Sequence, residues 1–256
     1  MTDNKVTSYS CTADAFHCDF QHQLCVGHLG NSLLNASDIH STERQFGMTY
    51  LNTINKTWVL SRLALEMYDM PKEHDEFIIE TWVENAMKFF TKRNWALSSP
   101  DSKKVYGYAK SIWAMIDTVS RQPQDILAIH DGKIMDYLCP EKPCEMADVS
   151  RVKVPEMTDF TEFKVVYSDI DVNGHCNSMK YIDHVMDTFT LDYLASHQLH
   201  RLEIAYVAEG HFADNIRIYH LEGATDSHAF RLCRHNDGED ETELCRLKVT
   251  FAAKAV

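Results

Sequence analysis

The chain has 256 residues, enough for one large domain or two modest ones around a substantial apolar core. It carries 25 basic against 38 acidic residues, a net charge of −13 with histidines neutral, and such a surface repels phosphate backbones and anionic bilayers, disfavouring nucleic acid as a partner. Met1-Thr-Asp-Asn-Lys5 has no apolar run behind it, no stretch approaches a spanning helix, and the eight cysteines contain no CxxC pair, so the expectation is a reduced, cytoplasmic globular protein without signal peptide, membrane insertion or disulfide framework.

In chain order, Asp19-Phe-Gln-His-Gln23 reads as a polar turn before a mainly helical segment from about Leu24 to Tyr50. Four strand candidates follow, at 57–70, 76–87, 88–98 and 104–118, rich in β-branched and aromatic residues, with Pro71 and Asp101 at plausible hairpin turns. Residues 136–160 hold Pro140, Pro143 and Pro155 among scattered charges and read as a linker. They divide an N-terminal domain over 1–135 from a C-terminal domain over 161–256. Phe163-Lys-Val-Val-Tyr167 then reads as a short strand leading into a second polar turn, Asp171-Val-Asn-Gly-His-Cys-Asn177. Met179, Ile182, Val185, Met186, Phe189 and Leu194 recur at helical spacing and predict one helix running to about His197. Strand-like runs close the chain at 201–209, 214–222, 227–235 and 243–253, with Asn236-Asp-Gly238 turning between the last two.

The two halves therefore repeat one order of turn, long helix and strands. Asp19-x-Gln21-x-Gln23 lies over Asp171-x-Asn173-x-His175, and the first copy lacks the imidazole. One helix wrapped by an antiparallel sheet, twice over, is an α+β architecture.

Asp171, Asn173 and His175 crowd a titratable group, a water-holding amide and an imidazole into a turn that opens a helix, whose N-terminus polarises a carbonyl. That layout sends water at an acyl carbon. The same residue types also serve as ordinary turn and cap residues. Cys176, beside His175, invites a Cys–His nucleophile reading but fits better as a small buried residue where the helix begins. His17, Cys18, His22, Cys25 and His28 superficially resemble a ligand tract; their spacing matches no zinc finger, so no metal is expected there.

At this point the chain resembles a known family, the acyl-acyl carrier protein thioesterases of the plant plastid type and their bacterial relatives. In the first half the matching stretches are Trp58-Val-Leu-Ser-Arg-Leu63, Ile79-Glu-Thr-Trp-Val83, Arg93-Asn-Trp95 and Ala109-Lys-Ser-Ile-Trp113. In the second they are the Asp171–Asn177 turn, Lys180-Tyr181 and Tyr206-Val-Ala-Glu209. The resemblance implies a tandem (double) hotdog, with the acyl-chain pocket and a degenerate site in the N-terminal domain and catalysis in the C-terminal one. It implies hydrolysis of fatty acyl-acyl carrier protein to free fatty acid, with acyl carrier protein as partner, no cofactor, and Asp171, Asn173, His175 and Glu209 as the catalytic group. The plant enzymes carry a cysteine after that glutamate; here Gly210 stands there, which favours water activated by a general base. Asp171 or Glu209 accepts the proton, with His175 orienting and polarising, and backbone N–H groups of Asn177 and Ser178 hold the oxyanion. Phe89, Phe90, Trp95, Trp113 and the methionines are candidates for the pocket lining. Docking an acidic carrier wants a basic patch, for which Lys88, Lys92, Arg93, Lys103 and Lys104 are the candidates. An acyl-coenzyme A thioesterase and a non-catalytic sensor of acyl thioesters stay in competition, and a homodimer stays open.

Overall fold

The computed structural model describes residues 5–238 and 240–254, so the expectation for the first four residues lies outside the described residues. The chain divides into two compact units between Val149 and Ser150.

In the first unit, β1 (Val6–Thr12) precedes the long helix α1 (Val26–Thr42) and the short α2 (Met48–Thr53). Four strands follow: β2 (Lys56–Met67), β3 (Glu76–Ala86), β4 (Phe90–Ser98) and β5 (Val105–Asp117). The sheet order is β1-β3-β4-β5-β2, and every pairing within it is antiparallel. Leu29, Leu33, Ala36 and His40 form the buried stripe of α1 at three- and four-residue spacing. The stripe lies against alternate residues of the sheet, and Trp95 on β4 donates its indole N–H to the Leu33 carbonyl at 3.1 Å. The helix expected to reach Tyr50 stops at Thr42. Gln45 takes a left-handed φ of 64°, and Gly47 lies so close to Thr42 that a side chain there has no room. β1 carries no strong sequence signal and was not expected; it pairs with β3 from Val6↔Trp82 to Thr12↔Glu76.

The second unit repeats the plan with β6 (Phe160–Lys164), α3 (Ser178–Met186), α4 (Leu191–Ser196), β7 (His197–Tyr206), β8 (Asn215–Glu222), β9 (Ser227–Arg234) and β10 (Thr242–Ala253). Its order, β6-β8-β9-β10-β7, is the first unit's order with each strand replaced by its counterpart. Met179, Tyr181, Ile182 and Val185 of α3 face inward. Each unit is thus a helix wrapped by a five-stranded antiparallel sheet, and the chain is a double hotdog.

The single helix expected to run to His197 is broken in two. Thr188 donates its hydroxyl to the Val185 carbonyl at 2.7 Å, and Thr190 caps α4 by accepting from the Tyr193 N–H at 3.2 Å. Between them Phe189 turns into an aromatic cluster with Tyr193, Phe230 and Phe251. The strand read at 163–167 lies earlier, because a tight turn over Tyr167–Asp169 takes up the end of that run.

The proline-bearing segment at 136–160 is laid down on the sheets. On the first, Cys139 donates its N–H to Val83, Lys142 pairs with Glu80 at 2.7 Å, and Lys110 reaches Asp148 at 2.9 Å. On the second, Ser150 donates its N–H and hydroxyl to Glu203, both at 3.2 Å, and Met157 packs on Tyr219 and Cys233.

Candidate active site

The turn before α3 is built by one carboxylate. Asp171 Oδ1 accepts the N–H groups of Asn173 at 2.8 Å and His175 at 3.1 Å, while the Asp171 N–H donates to the His175 carbonyl at 2.8 Å. Gly174 sits inside this loop at φ +82°, a region where a side chain is costly. Asn177 accepts the Met179 N–H at 2.8 Å and so caps α3. A buried Asp169 supports the turn from behind, receiving the Val166 N–H at 2.9 Å and facing His184 Nε2 at 3.3 Å. No motif pointed to Asp169 or His184; two residues far apart along the chain meet only once the turn and α3 have formed.

The loop after β7 completes the arrangement. Glu209 lies past the strand end, and its carboxylate comes within 3.6 Å of His175 Nε2, with both side chains about a third exposed. The Gly210 carbonyl accepts the Cys176 N–H at 2.7 Å, stitching the loop to the turn. His211 stands edge-on to His175 with ring centroids 5.3 Å apart, a neighbour the sequence reading passed over. Asn173 is exposed at the loop tip.

Two expected roles change. The Asn177 N–H donates to the Asp169 carbonyl at 2.8 Å and is occupied, whereas the Ser178 N–H, at the first position of α3, has no intrahelical acceptor. Arg93 is no surface cation. It is 6% exposed and points under the C-terminal end of α1, donating to Ser41 Oγ and Thr81 Oγ1, each at 3.1 Å, and to His40 Nδ1 at 3.4 Å. A guanidinium there meets the negative end of the helix dipole. Burial, with Arg44 adding to it, brings its pKa down to about 10, still far above neutrality.

Of the four lysines Lys88 and Lys103 are exposed and Lys92 and Lys104 half-buried, each near a carboxylate: Lys88 with Asp125 at 4.0 Å, Lys92 with Glu84 at 3.8 Å, Lys103 with Asp101 at 3.0 Å and Lys104 with Asp69 at 2.6 Å. The expected pocket aromatics are not brought together. Trp95 is core, while Phe89 and Phe90 are partly exposed at the β3–β4 turn. Burial pushes the Cys176 thiol up to about 12, so it stays protonated and is no nucleophile. His17 and His28 stack at 4.2 Å, and among the described residues no three His, Cys, Asp or Glu side chains converge on a metal position.

The turn before α1 reproduces the second turn bond for bond. Asp19 Oδ1 accepts from Gln21 at 2.8 Å and Gln23 at 3.1 Å, and the Asp19 N–H donates to the Gln23 carbonyl at 2.8 Å. Leu24 donates to the Pro71 carbonyl as Cys176 does to Gly210. In this register Gln23 stands for His175, and Met70 for Glu209.

Profiles of the acyl-ACP thioesterase N-terminal domain and C-terminal domain match residues 5–129 and 152–252. The crystal structure of an acyl-ACP thioesterase from Bacteroides thetaiotaomicron superposes with a TM-score of 0.90 at 40% identity, covering 98% of this chain and 100% of that one. The 12:0-ACP thioesterase from Umbellularia californica shares the fold, with a TM-score of 0.82 at 16% identity over 98% of each chain. Oleoyl-acyl carrier protein thioesterase 1 of Arabidopsis thaliana is 27% identical over 180 residues, 66% of this chain and 49% of the relative, so the chain spans about half the length of the curated plant relative it matches. With both domain profiles matched in order and a solved member aligned from end to end, the chain belongs to the acyl-ACP thioesterase family.

Proposed function

We propose that the protein is a thioester hydrolase that releases free fatty acid from fatty acyl-acyl carrier protein by direct attack of water. The observation that carries this reading is the Glu209 carboxylate 3.6 Å from His175 Nε2 beside the N-terminus of α3. Glu209 accepts a proton as the water oxygen bonds to the thioester carbon. The tetrahedral oxyanion is met by the Ser178 N–H and the positive end of α3. On collapse the C–S bond breaks, and the proton passes to the departing thiolate. His175 orients the carboxylate and the water, and Asn173 holds the water from the loop tip. Asp171 shapes the turn, its Oδ1 being engaged by two backbone N–H groups. In this reading the base is Glu209 rather than Asp171.

The carrier assignment is supported by the relative from Bacteroides thetaiotaomicron, aligned over its whole length. The acidic carrier docks on Lys88, Lys92, Lys103 and Lys104, whose surface ion pairs are weak enough to exchange. The cysteines form no disulfide among the described residues, which suits a reducing cytoplasm.

The test is free-thiol release from medium- and long-chain acyl groups on carrier protein and on coenzyme A, with Glu209→Gln and His175→Ala alongside. Rapid turnover on carrier protein, lowered at least about a hundredfold in both variants, is expected. Faster turnover on coenzyme A would reassign the carrier, and binding without turnover would make the protein a sensor.

A further inference from the structure

Gly210 is held at both ends. Its carbonyl accepts the Cys176 N–H at 2.7 Å, and its own N–H donates to the hydroxyl of Tyr181 at 3.1 Å. Turn, loop and helix α3 are thus tied together at one residue, with the Tyr181 oxygen and Cys176 Cβ both close against it. Tyr181 is 2% exposed, and on the described register it has no polar counterpart in the first unit, where Leu29 occupies its place. This tie sits one residue from each member of the reacting pair: Cys176 follows His175, and Gly210 follows Glu209.

Space at this point is closed. A Cβ added to Gly210 would stand 2.6 Å from the Tyr181 oxygen and 3.4 Å from both Cys176 Cβ and Leu244 Cδ1. A side chain here would have to displace the Tyr181 hydroxyl.

We infer that Tyr181 is a positioning residue, whose hydroxyl anchors the Gly210 amide and thereby fixes the Glu209 carboxylate against His175. Without the anchor the loop is tied to the turn only beyond Glu209, by the Cys176–Gly210 bond and the His175–His211 bridge, and the carboxylate before them loses its hold from α3. A displacement of about 1 Å at a reacting group is enough to cost on the order of a hundredfold in rate. The inference rests on Glu209 and His175 being the reacting pair.

The experiment is a cycle of Tyr181→Phe, Gly210→Ala and the double variant in the full chain, with Glu209→Gln as control. Turnover and melting temperature are measured on each. Tyr181→Phe is expected to lower kcat about ten- to hundredfold while KM for acyl-carrier protein stays within about threefold. Gly210→Ala is expected to lower both Tm and kcat. Adding Tyr181→Phe to it restores Tm, because removing the hydroxyl makes room for the methyl group. Tyr181→Phe with wild-type kcat, in an enzyme that Glu209→Gln inactivates, would overturn the positioning role and leave the function standing. Additive losses of Tm would overturn the steric pairing. Full turnover in Glu209→Gln would instead sink the functional reading, and with it the catalytic meaning of the clasp.

Discussion

At the scale of single residues, two carboxylates that the sequence leaves equivalent are separated by what their oxygens touch. Asp171 Oδ1 is engaged by two N–H groups of its own turn, whereas Glu209 faces an imidazole. Asp171→Asn keeps an acceptor at the same place, so it should fold normally and hold kcat within about tenfold, while Asp171→Ala should lose about 1 kcal/mol of stability, the usual scale for a lost cap. A hundredfold fall in kcat for the asparagine variant, with normal melting, would return the base to Asp171. Gly174 makes a second case. Nothing lies within 4 Å of a Cβ built there, so Gly174→Ala meets only the backbone cost of φ +82°, about 1–2 kcal/mol. Gly174→Asn should lose less by urea denaturation, since asparagine tolerates this region; the corresponding residue of the first turn, His22, already sits at φ 59°.

At the scale of elements, the end of α1 and the middle of β4 explain one another. The last carbonyls of a helix are partly negative, and β4 sends Arg93 beneath them with Ser41, Thr81 and His40 as partners. Arg93→Glu would place a buried carboxylate where a cation belongs, and a loss of about 3–5 kcal/mol is expected. Any folded fraction should keep its KM, because the side chain does not reach the surface. Charge reversal at Lys103 and Lys104 has the opposite signature. It should raise KM for carrier-bound acyl groups without changing Tm, and leave KM for coenzyme A esters as it was. An unchanged KM on the carrier would remove these lysines from the interface. The broken helix in the second unit belongs to this scale as well. Two threonine hydroxyls end one helix and begin another, and the apolar periodicity that continues through Phe189 and Leu194 does not register the break.

At the scale of the whole molecule, both units hide histidines from water, and this makes stability depend on pH in one direction. Burial, with Arg93 and Arg44 adding to it, holds His40 down to about 2. Burial also lowers His228 and His220, the latter further depressed by its neighbour His228. A histidine kept neutral in the folded state binds no proton while the unfolded chain does. Stability is therefore complete above about pH 6.5 and declines as pH falls below it, by up to about 1.4 kcal/mol per pH unit for each such group. Denaturation at pH 7.5 and 5.5 should show the loss, and His40→Gln should make the slope shallower; a slope unaltered by that change would place the titration elsewhere. The sequence alone determined the repeated order of turn, helix and strands, the positions of the four longer strands in each unit, and the polar turn at Asp171, because helical and strand periodicities and turn chemistry are local properties of the chain. Tertiary structure decided the rest. Glu209 meets His175 only because the loop after β7 is stitched to the turn, and Arg93 is core only because strand alternation aims it at α1. The edge strand β1 forms only because β3 offers it a partner. Contacts between residues far apart in sequence leave no periodicity behind, and the pairing of acid with imidazole is a contact of that kind.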